Sequence, residues 1–234
     1  MKIMKCSEIS LPRVSALIYG VPGRGKTTLC GMLTGKTLII DVDNRGINVL
    51  RGKTNVDYIP LREDLSDLKA TLDELEKLSP FPYDTLVIDS LSELEKNMLT
   101  VLGRSARNNG APELAHYNQV QYKIADYVRR FRALPCNTVF TAWETAKEVT
   151  CRDGSKVQIF KPQLSGNTAD CVCGLVDIVG RIEINPQNDH RFVRLSGGFN
   201  VVAKDRLYKR DICEFPDLLS EPKEQKVPAK EGKK

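Results

Sequence analysis

A glycine-rich segment near the start of the chain constrains the fold more than any other feature. The pattern G-x-x-x-x-G-K-T fits Gly20 to Thr27, within "LIYGVPGRGKTTLCGML". The apolar run "VSALIY" before it is typical of a buried strand, and "KTTLCGML" after it predicts a helix with no breaker until Gly35. A strand, a glycine-rich turn and a helix are the context in which this motif binds phosphate. The sequence therefore predicts an α/β chain that binds a nucleoside triphosphate.

The residue types in this loop suit a phosphate chain and a magnesium ion. Its glycines allow a tight turn that directs backbone N–H groups at an anion. Lys26 can reach the outer phosphates, and the Thr27 hydroxyl can ligate Mg²⁺. We expect ATP and Mg²⁺ as cofactors, although the sequence leaves other triphosphates open. The predicted cofactor-binding residues are Gly20, Val21, Pro22, Gly23, Arg24, Gly25, Lys26, Thr27, Thr28 and Ser90.

Carboxylates at two predicted strand ends can complete the site. The segment "YDTLVIDS" places Asp89 at the carboxyl end of a predicted strand. P-loop proteins need a carboxylate there that holds Mg²⁺ together with the P-loop threonine, here Thr27. The alternative is that Asp89 or Ser90 caps the next helix. "IIDVDN" offers Asp43 as the catalytic base and Asp41 as the second choice, unless both only solvate a strand end. The predicted catalytic residues are Asp43, Lys26 and Asp89.

The order of elements predicts the architecture. Strands alternate with helices in the first part of the chain, and several strands follow one another later. Leucines at 65, 68, 72, 75 and 78 predict an amphipathic helix, and alternation on both sides of Asp153-Gly154 predicts a β-hairpin. We expect a mainly parallel sheet flanked by helices, with an antiparallel C-terminal edge and a hairpin. The predicted segments are a lead-in over 1–13, a core over 14–215 and a disordered charged tail over 216–234.

Composition excludes some classes of protein. No apolar run is long enough to span a membrane, and the N-terminus lacks the apolar stretch of a signal peptide, so we expect a cytoplasmic protein without a membrane partner. The seven cysteines are then reduced thiols, and "CVC" at 171–173 lacks the partners of a metal site. The net charge of +5 is compatible with nucleic acid but does not by itself indicate it.

The order of these motifs resembles the core of the RecA-type P-loop ATPases. The resemblance covers residues 14 to 213 and rests on the order of six features: the P-loop, "IIDVD", "LVIDS", a strand ending "VFTAW", a hairpin and "VVAKDRL". More narrowly, the chain is similar to the Sak proteins of the fourth type. These are phage-encoded, core-only RecA-like proteins that anneal single-stranded DNA, also described as AAA-type phage nucleotide-binding proteins. The resemblance implies an ATPase that acts in recombination as a ring or filament. Its expected partners are single-stranded DNA, further copies of itself and a single-strand-binding protein.

The resemblance also implies roles for particular residues. Asp43 takes the place of the acidic residue that activates water. Lys204 and Arg206 take the place of a basic pair that reaches the nucleotide of the next subunit, although two such charges can also protect an edge strand from aggregation. Segments 103–113 and 144–166 take the places of two DNA-binding loops. The DNA-binding candidates in these two segments are Arg104, Arg107, Lys147, Arg152, Lys156 and Lys161. Each of them taken alone could instead be a solvated surface charge.

The chain departs from the recombinase pattern at one position that matters. Ala142-Trp143 stands where recombinases carry an Asn-Gln pair that couples the nucleotide state to DNA. Whether DNA stimulates hydrolysis is therefore not decided by the resemblance, and the neighbouring Glu144 is a candidate for sensing the nucleotide state. Only about a dozen residues precede the first strand, which favours annealing over strand exchange. Two alternatives remain: a nucleotide-dependent interaction module such as a helicase loader, and a small-molecule P-loop kinase. Such kinases usually carry an arginine-rich lid, whereas the basic residues of this chain lie in a hairpin and a terminal strand.

Overall fold

The computed structural model describes residue 5 and residues 13–43, 46–62, 65–107 and 110–222. The strands within this part of the chain are β1 (Ser15–Gly20), β2 (Thr37–Asp41), β3 (Val56–Pro60), β4 (Thr85–Asp89), β5 (Asn137–Thr150), β6 (Lys156–Pro162), β7 (Ile178–Ile184), β8 (Arg191–Arg194), β9 (Lys204–Asp205) and β10 (Ile212–Cys213). The α-helices are α1 (Lys26–Cys30), α2 (Leu68–Leu75), α3 (Leu91–Arg104), α4 (Leu114–Ala133) and α5 (Thr168–Leu175), and a 3-10 helix spans Gly46–Leu50.

The strands form one sheet with the order β10-β8-β7-β1-β5-β4-β2-β3, in which β6 also pairs with β5 and β9 with β7. The strands from β7 to β3 in this order are parallel. β8, β9 and β10 add antiparallel pairs at the C-terminal edge. The expected fold class, a mainly parallel α/β sheet with an antiparallel edge and a hairpin, is confirmed. No helix in the described part of the chain is long and apolar enough to cross a membrane.

Two hydrophobic clusters cover the two faces of the sheet. One packs α2 to α5 against side chains such as Leu86, and the other packs α1, the 3-10 helix and the C-terminal segment against side chains such as Val87. Successive side chains of a strand point to opposite faces. Asp41 and Asp89 are the last residues of β2 and β4, and Thr141 lies in the first half of the neighbouring strand β5. By alternation from Ile39, Val87 and Val139, all three therefore share the face that α1 covers.

Two helices, α1 and α2, are shorter than their sequence patterns predict. The prediction of a helix without a breaker until Gly35 is wrong, because α1 ends at Cys30 and Gly31 follows as its C-cap. A side chain at position 31 would clash with Leu50, so the glycine lets the 3-10 helix pack on α1. The leucine stripe is helical only from Leu68 to Leu75, and residues 63–64 lie outside the described part.

The strand that ends "VFTAW" and the first arm of the hairpin form one continuous strand, β5, instead of two. Its outer half pairs with β6 from Glu144 opposite Pro162 to Thr150 opposite Lys156. Gly154 lies in the turn with a φ of 82°, a conformation that glycine adopts without strain.

The predicted disordered tail begins too early. Residues 216–222 are folded, and Leu218 is fully buried in the cluster on the α1 face. Arg210 holds this segment because its guanidinium donates to the carbonyl oxygens of Asp217, Leu218 and Ser220. Its Nε also pairs with the buried carboxylate of Asp205 at 2.6 Å. The rest of the predicted tail, 223–234, and nearly all of the predicted lead-in lie outside the described residues.

Candidate nucleotide site

The P-loop joins β1 to α1 at the carboxyl edge of the parallel strands. Gly23 has a φ of 81°, and Gly25, the N-cap of α1, has a φ of 97°. Such left-handed positions favour glycine, and a turn that contains them can direct successive N–H groups at one anion. The Nζ of Lys26 donates to the carbonyl oxygens of Gly20 at 2.9 Å and Val21 at 3.2 Å, so the ammonium lies over the loop. Pro22 is exposed, and Arg24 and Thr28 are half-buried.

Asp89 lies at the centre of this site and is 8% exposed. Thr27 Oγ1 donates to its Oδ2 at 2.6 Å, and Thr141 Oγ1 donates to its Oδ1. A hydroxyl and a carboxylate in this arrangement are the hard oxygen ligands that P-loop proteins use for Mg²⁺. The donor set therefore fits this ion. Sequence reasoning did not assign Thr141, although a polar residue within the apolar run "VFTAW" was a usable signal.

Asp43 borders the same space from the segment that follows β2. A Cβ atom on Gly46 would lie 3.5 Å from Thr27 Oγ1 and 3.8 Å from Asp43 Oδ2. The Asp43 side chain is exposed, whereas Asp41 is 2% exposed and lies opposite Asp89 in the register of β2 and β4. Exposure favours Asp43 over Asp41 as the carboxylate that can meet a water molecule.

A partly buried ion pair flanks the loop on the other face of the sheet. The guanidinium of Arg181 makes two hydrogen bonds of 2.9 Å to the carboxylate of Glu144, and their side chains are 19% and 7% exposed. The same guanidinium lies 3.9 Å from the centroid of the Phe160 ring in β6. Burial lowers the pKa of Lys26, while the charges of Asp89 and Glu144 raise it. The charge of Glu144 therefore acts on the P-loop lysine. Its ion-pair partner, Arg181, was not apparent from the sequence.

The side chain of Ser90 caps α3 rather than reaching the loop, because it accepts a hydrogen bond from Glu93 N at 3.3 Å. This is the alternative that the sequence left open. The nearby Ser92 Oγ accepts from Trp143 N at 2.8 Å and donates to Gln163 O at 2.9 Å. The start of α3 is therefore bonded to both arms of the hairpin at its base.

Lys204 and Arg206 lie away from the P-loop of their own chain. Lys204 pairs with Val179 in the amino-terminal half of β7, whereas the P-loop follows the carboxyl end of β1. The guanidinium of Arg206 forms an ion pair with Asp177, which also accepts from Ser15 Oγ at 2.6 Å. Burial lowers the pKa of Lys204, and the charge of Arg206 lowers it further. The two cations are close to each other, and in the described part of the chain neither forms a hydrogen bond or ion pair with the P-loop.

The DNA-binding candidates fall into two groups. Arg104 ends α3 and Arg107 follows it, both exposed, and residues 108–109 between them and α4 lie outside the described part. In the hairpin, the register places Lys147 and Lys161 on one face and Lys156 on the other. The turn residue Arg152 is exposed, and Lys156 pairs with Glu148 at 2.8 Å.

Phe199 is an exposed aromatic side chain that sequence reasoning did not single out. It is 72% exposed and lies beside the hairpin, since the carbonyl of Asn200 accepts from Phe160 N at 2.8 Å. Its neighbours in "SGGFN" carry no motif, so only its place in the fold associates it with β6.

Among the described residues no three His, Cys, Asp or Glu side chains lie together as a metal site. The described cysteines, including Cys171 and Cys173, are free thiols. A magnesium ion at Thr27 and Asp89 would therefore depend on phosphate oxygens for further ligands.

The fold, the P-loop and the carboxylate that accepts from its threonine define a P-loop ATPase-like domain. The family profile described as AAA domain, AAA_24, matches residues 13–207, and the chain belongs to this family. The family implies nucleotide binding and suggests nucleotide hydrolysis. No curated protein matches the sequence.

Two solved structures show distant similarity to this chain. A KaiC-like protein from the hyperthermophilic archaeon Pyrococcus horikoshii OT3 is 11% identical, with 77% of each chain covered and a TM-score of 0.45. The flagellar accessory protein FlaH from Methanocaldococcus jannaschii is 12% identical, with 86% of this chain and 84% of that chain covered and a TM-score of 0.42.

Proposed function

We propose that this chain is a Mg²⁺-dependent ATPase that binds single-stranded DNA and promotes annealing or recombination as an oligomer, as the phage Sak-type proteins that it resembles do. The continuity of β5 is the observation that carries the proposal. Thr141 in this strand donates to Asp89 at the nucleotide site, and Lys147 lies further along the same strand in the exposed hairpin. A shift of β5 at the site would therefore move the hairpin directly.

The site residues have distinct roles in the proposed hydrolysis. The loop N–H groups and Lys26 would hold the phosphate chain, and Thr27 and Asp89 would hold the magnesium ion. When bound, this ion neutralises charge that develops on the phosphate oxygens. Asp43 is exposed beside Thr27 and accepts the proton of the attacking water. Glu144 fixes Arg181 on Phe160 and so joins the loop side of the site to β6.

The proposed nucleic-acid surface is the hairpin face that carries Lys147 and Lys161. These lysines can contact phosphates, and Phe199 beside β6 can stack on a base. Lys156 is on the opposite face and is paired with Glu148, so it is the weakest candidate in the hairpin. Arg104, Arg107 and Arg152 remain candidates because all three are exposed.

Oligomerisation belongs to the proposal because Lys204 and Arg206 lie away from the P-loop of their own chain. In an assembly they would meet the nucleotide of a neighbouring copy, as an arginine finger does. Arg206 would first have to leave Asp177, whereas Lys204 has no such ion pair among the described residues. Lys204 is therefore the better finger candidate of the two.

The first experiment is ATP hydrolysis with Mg²⁺, with and without poly(dT), at several protein concentrations. The proposal predicts a rate per subunit that rises with both protein concentration and DNA, and that EDTA abolishes. An Asp43→Asn variant should retain ATP affinity but lose turnover by about 100-fold or more, by analogy with loss of a group needed in the transition state.

Three other outcomes would replace parts of the proposal. Equal hydrolysis rates with and without poly(dT) would support the proposed ATPase activity and contradict the proposed DNA activity. Tight ATP binding without hydrolysis would favour an interaction module such as a helicase loader. ADP release that depends on a small acceptor molecule would favour a kinase. An Asp43→Asn variant with wild-type turnover would remove the assigned role of Asp43.

A further inference from the structure

Arg191 brings a positive charge to the P-loop that no motif indicates. A Cβ atom on Gly25 would lie 3.1 Å from Arg191 Nη1 and 3.6 Å from its Cδ, so the side chain lies against the loop backbone. Arg191 is exposed. Within the described ranges, no hydrogen bond or ion pair joins its guanidinium to another residue. The charge is therefore available to a ligand at this loop.

The sheet explains why this arginine reaches the loop. Arg191 lies opposite Ile184 at the carboxyl end of β7, which is the edge where the P-loop lies. Val193, two residues later on β8, is fully buried in the cluster on the α1 face, and alternation places Arg191 on the same face. Phe215 supports this arrangement, because its Cε2 lies 3.6 Å from the same Cβ position on Gly25 and its side chain is 5% exposed.

We propose that Arg191 binds the phosphate chain of the nucleotide held by the P-loop of its own chain. A guanidinium presents several N–H donors in a planar fork that matches phosphate oxygens, and backbone N–H groups of the loop face the same anion. The unpaired charge beside Gly25 is thus a phosphate ligand delivered from β8. This inference rests on nucleotide binding at the P-loop and is independent of the proposed DNA activity.

Affinities for two probes test the assignment. Isothermal titration calorimetry would measure binding of Mg-ATP and of magnesium tripolyphosphate, which lacks the base and the ribose. Arg191→Ala should weaken both probes by about tenfold, the loss expected for a charge-assisted contact to phosphate. Arg191→Lys should recover part of the loss because it retains the charge. The melting temperature of Arg191→Ala should stay close to that of the wild type, since the side chain is exposed.

Arg194 provides a matched control on the same strand. It lies on the opposite face of β8, where its Nη1 is 3.7 Å from Glu183 Oε1. Arg194→Ala should therefore change either affinity by less than about twofold, as expected for a partly exposed charge on the face away from the site. An equal loss in both arginine variants would overturn the proposal, because it would reflect net charge alone.

Other results would also overturn it. Unchanged affinities in Arg191→Ala would exclude a phosphate contact, and a loss for ATP without a loss for tripolyphosphate would assign Arg191 to the base or ribose instead. If Arg191→Ala does not fold, Arg191→Gln removes the charge with less loss of packing and is tested in the same way. A wild-type protein that binds Mg-ATP but not poly(dT) would end the DNA proposal and leave this test intact.

Discussion

The nucleotide site and the β5–β6 hairpin share one strand but hold their side chains in opposite ways. At the site, Asp89 is 8% exposed and accepts hydrogen bonds from two threonines. In the hairpin, residues 146–150 of β5 are exposed. Even its ion pair, between Lys156 and Glu148, has side chains that are 67% and 55% exposed.

This difference indicates what each region can do. Buried polar groups must be paired, so the site side chains are restricted to one arrangement that is suited to a ligand of defined geometry. Exposed charges gain little from their pairs in water and can exchange them for those of a partner. The hairpin is therefore suited to a flexible polymer such as single-stranded DNA. The following substitutions test this contrast.

The largest effect is expected for Lys26→Ala at the nucleotide site. Loss of the ammonium over the loop should lower ATP hydrolysis by about 100-fold or more, the range seen when a charge-stabilising group is removed. DNA affinity without nucleotide should stay within about twofold of the wild type, since the ammonium of Lys26 bonds to the loop carbonyls and is not part of the hairpin. Rate assays and poly(dT) titrations measure the two effects. A variant with more than a tenth of the wild-type rate would contradict the site assignment.

Two ion pairs of β5 should differ clearly in their contribution to stability. Glu144→Gln leaves the guanidinium of Arg181, 19% exposed, with Glu183 as its remaining acidic partner, and should lower the free energy of unfolding by about 2 kcal/mol. The matched control Glu148→Gln breaks the exposed pair with Lys156 and should change it by less than about 0.5 kcal/mol. Urea denaturation measures both, and equal effects would remove the contrast between the regions.

The two faces of the hairpin should differ in DNA binding. A Lys147→Ala, Lys161→Ala double variant should weaken poly(dT) binding by about tenfold and reduce the salt dependence by roughly one to two ions. The control Lys156→Ala should change affinity by less than about twofold, because its ammonium faces the other side and is paired with Glu148. Titrations at several salt concentrations distinguish the variants. A larger loss in Lys156→Ala would reverse the assignment of the faces.

The smallest effect is expected at Asp177. Burial alone would raise the pKa of its carboxyl, but hydrogen bonds from Ser15 and Arg206 outweigh burial and hold the pKa below its usual value. A depressed pKa stabilises the fold above the unfolded pKa of about 4, and this contribution is lost as pH falls through the folded value. Asp177→Asn should therefore lower the free energy of unfolding by about 0.5–1 kcal/mol at pH 7, because Arg206 is half exposed.

The pH dependence provides the check on that residue. The difference between wild type and Asp177→Asn should shrink between pH 5 and pH 3, approximately the range in which the carboxyl becomes protonated. Urea denaturation at both pH values measures it. A difference that grows in acid would show that the carboxylate does not stabilise the folded state.

Local patterns predicted much of the fold. The hairpin around Gly154 and the strand before the P-loop follow from turn chemistry and hydrophobic alternation, which act over a few residues. The candidate site is partly predictable for the same reason. Thr27 and Asp89 were chosen from separate motifs and are in hydrogen-bond contact, while their role in binding Mg²⁺ stays a prediction.

The wrong predictions concern contacts that hydrophobic periodicity does not reveal. The helix after the P-loop ends at Cys30, and its C-cap Gly31 leaves room for the side chain of Leu50. The predicted tail is folded, and Arg210 binds the carbonyl groups around Leu218. The first contact joins α1 to the 3-10 helix, and the second joins residues only eight positions apart, but neither follows the 3.6-residue or two-residue periods used to predict elements.

By itself, the sequence determined the phosphate loop, the alternation of strands and helices, and the hairpin turn, because glycine conformations and side-chain periodicity depend on near neighbours. Only the tertiary structure decided that Arg181 meets Glu144 and that Arg191 lies beside Gly25. These pairs depend on strand order and register, which place residues far apart in the chain on the same edge of the sheet.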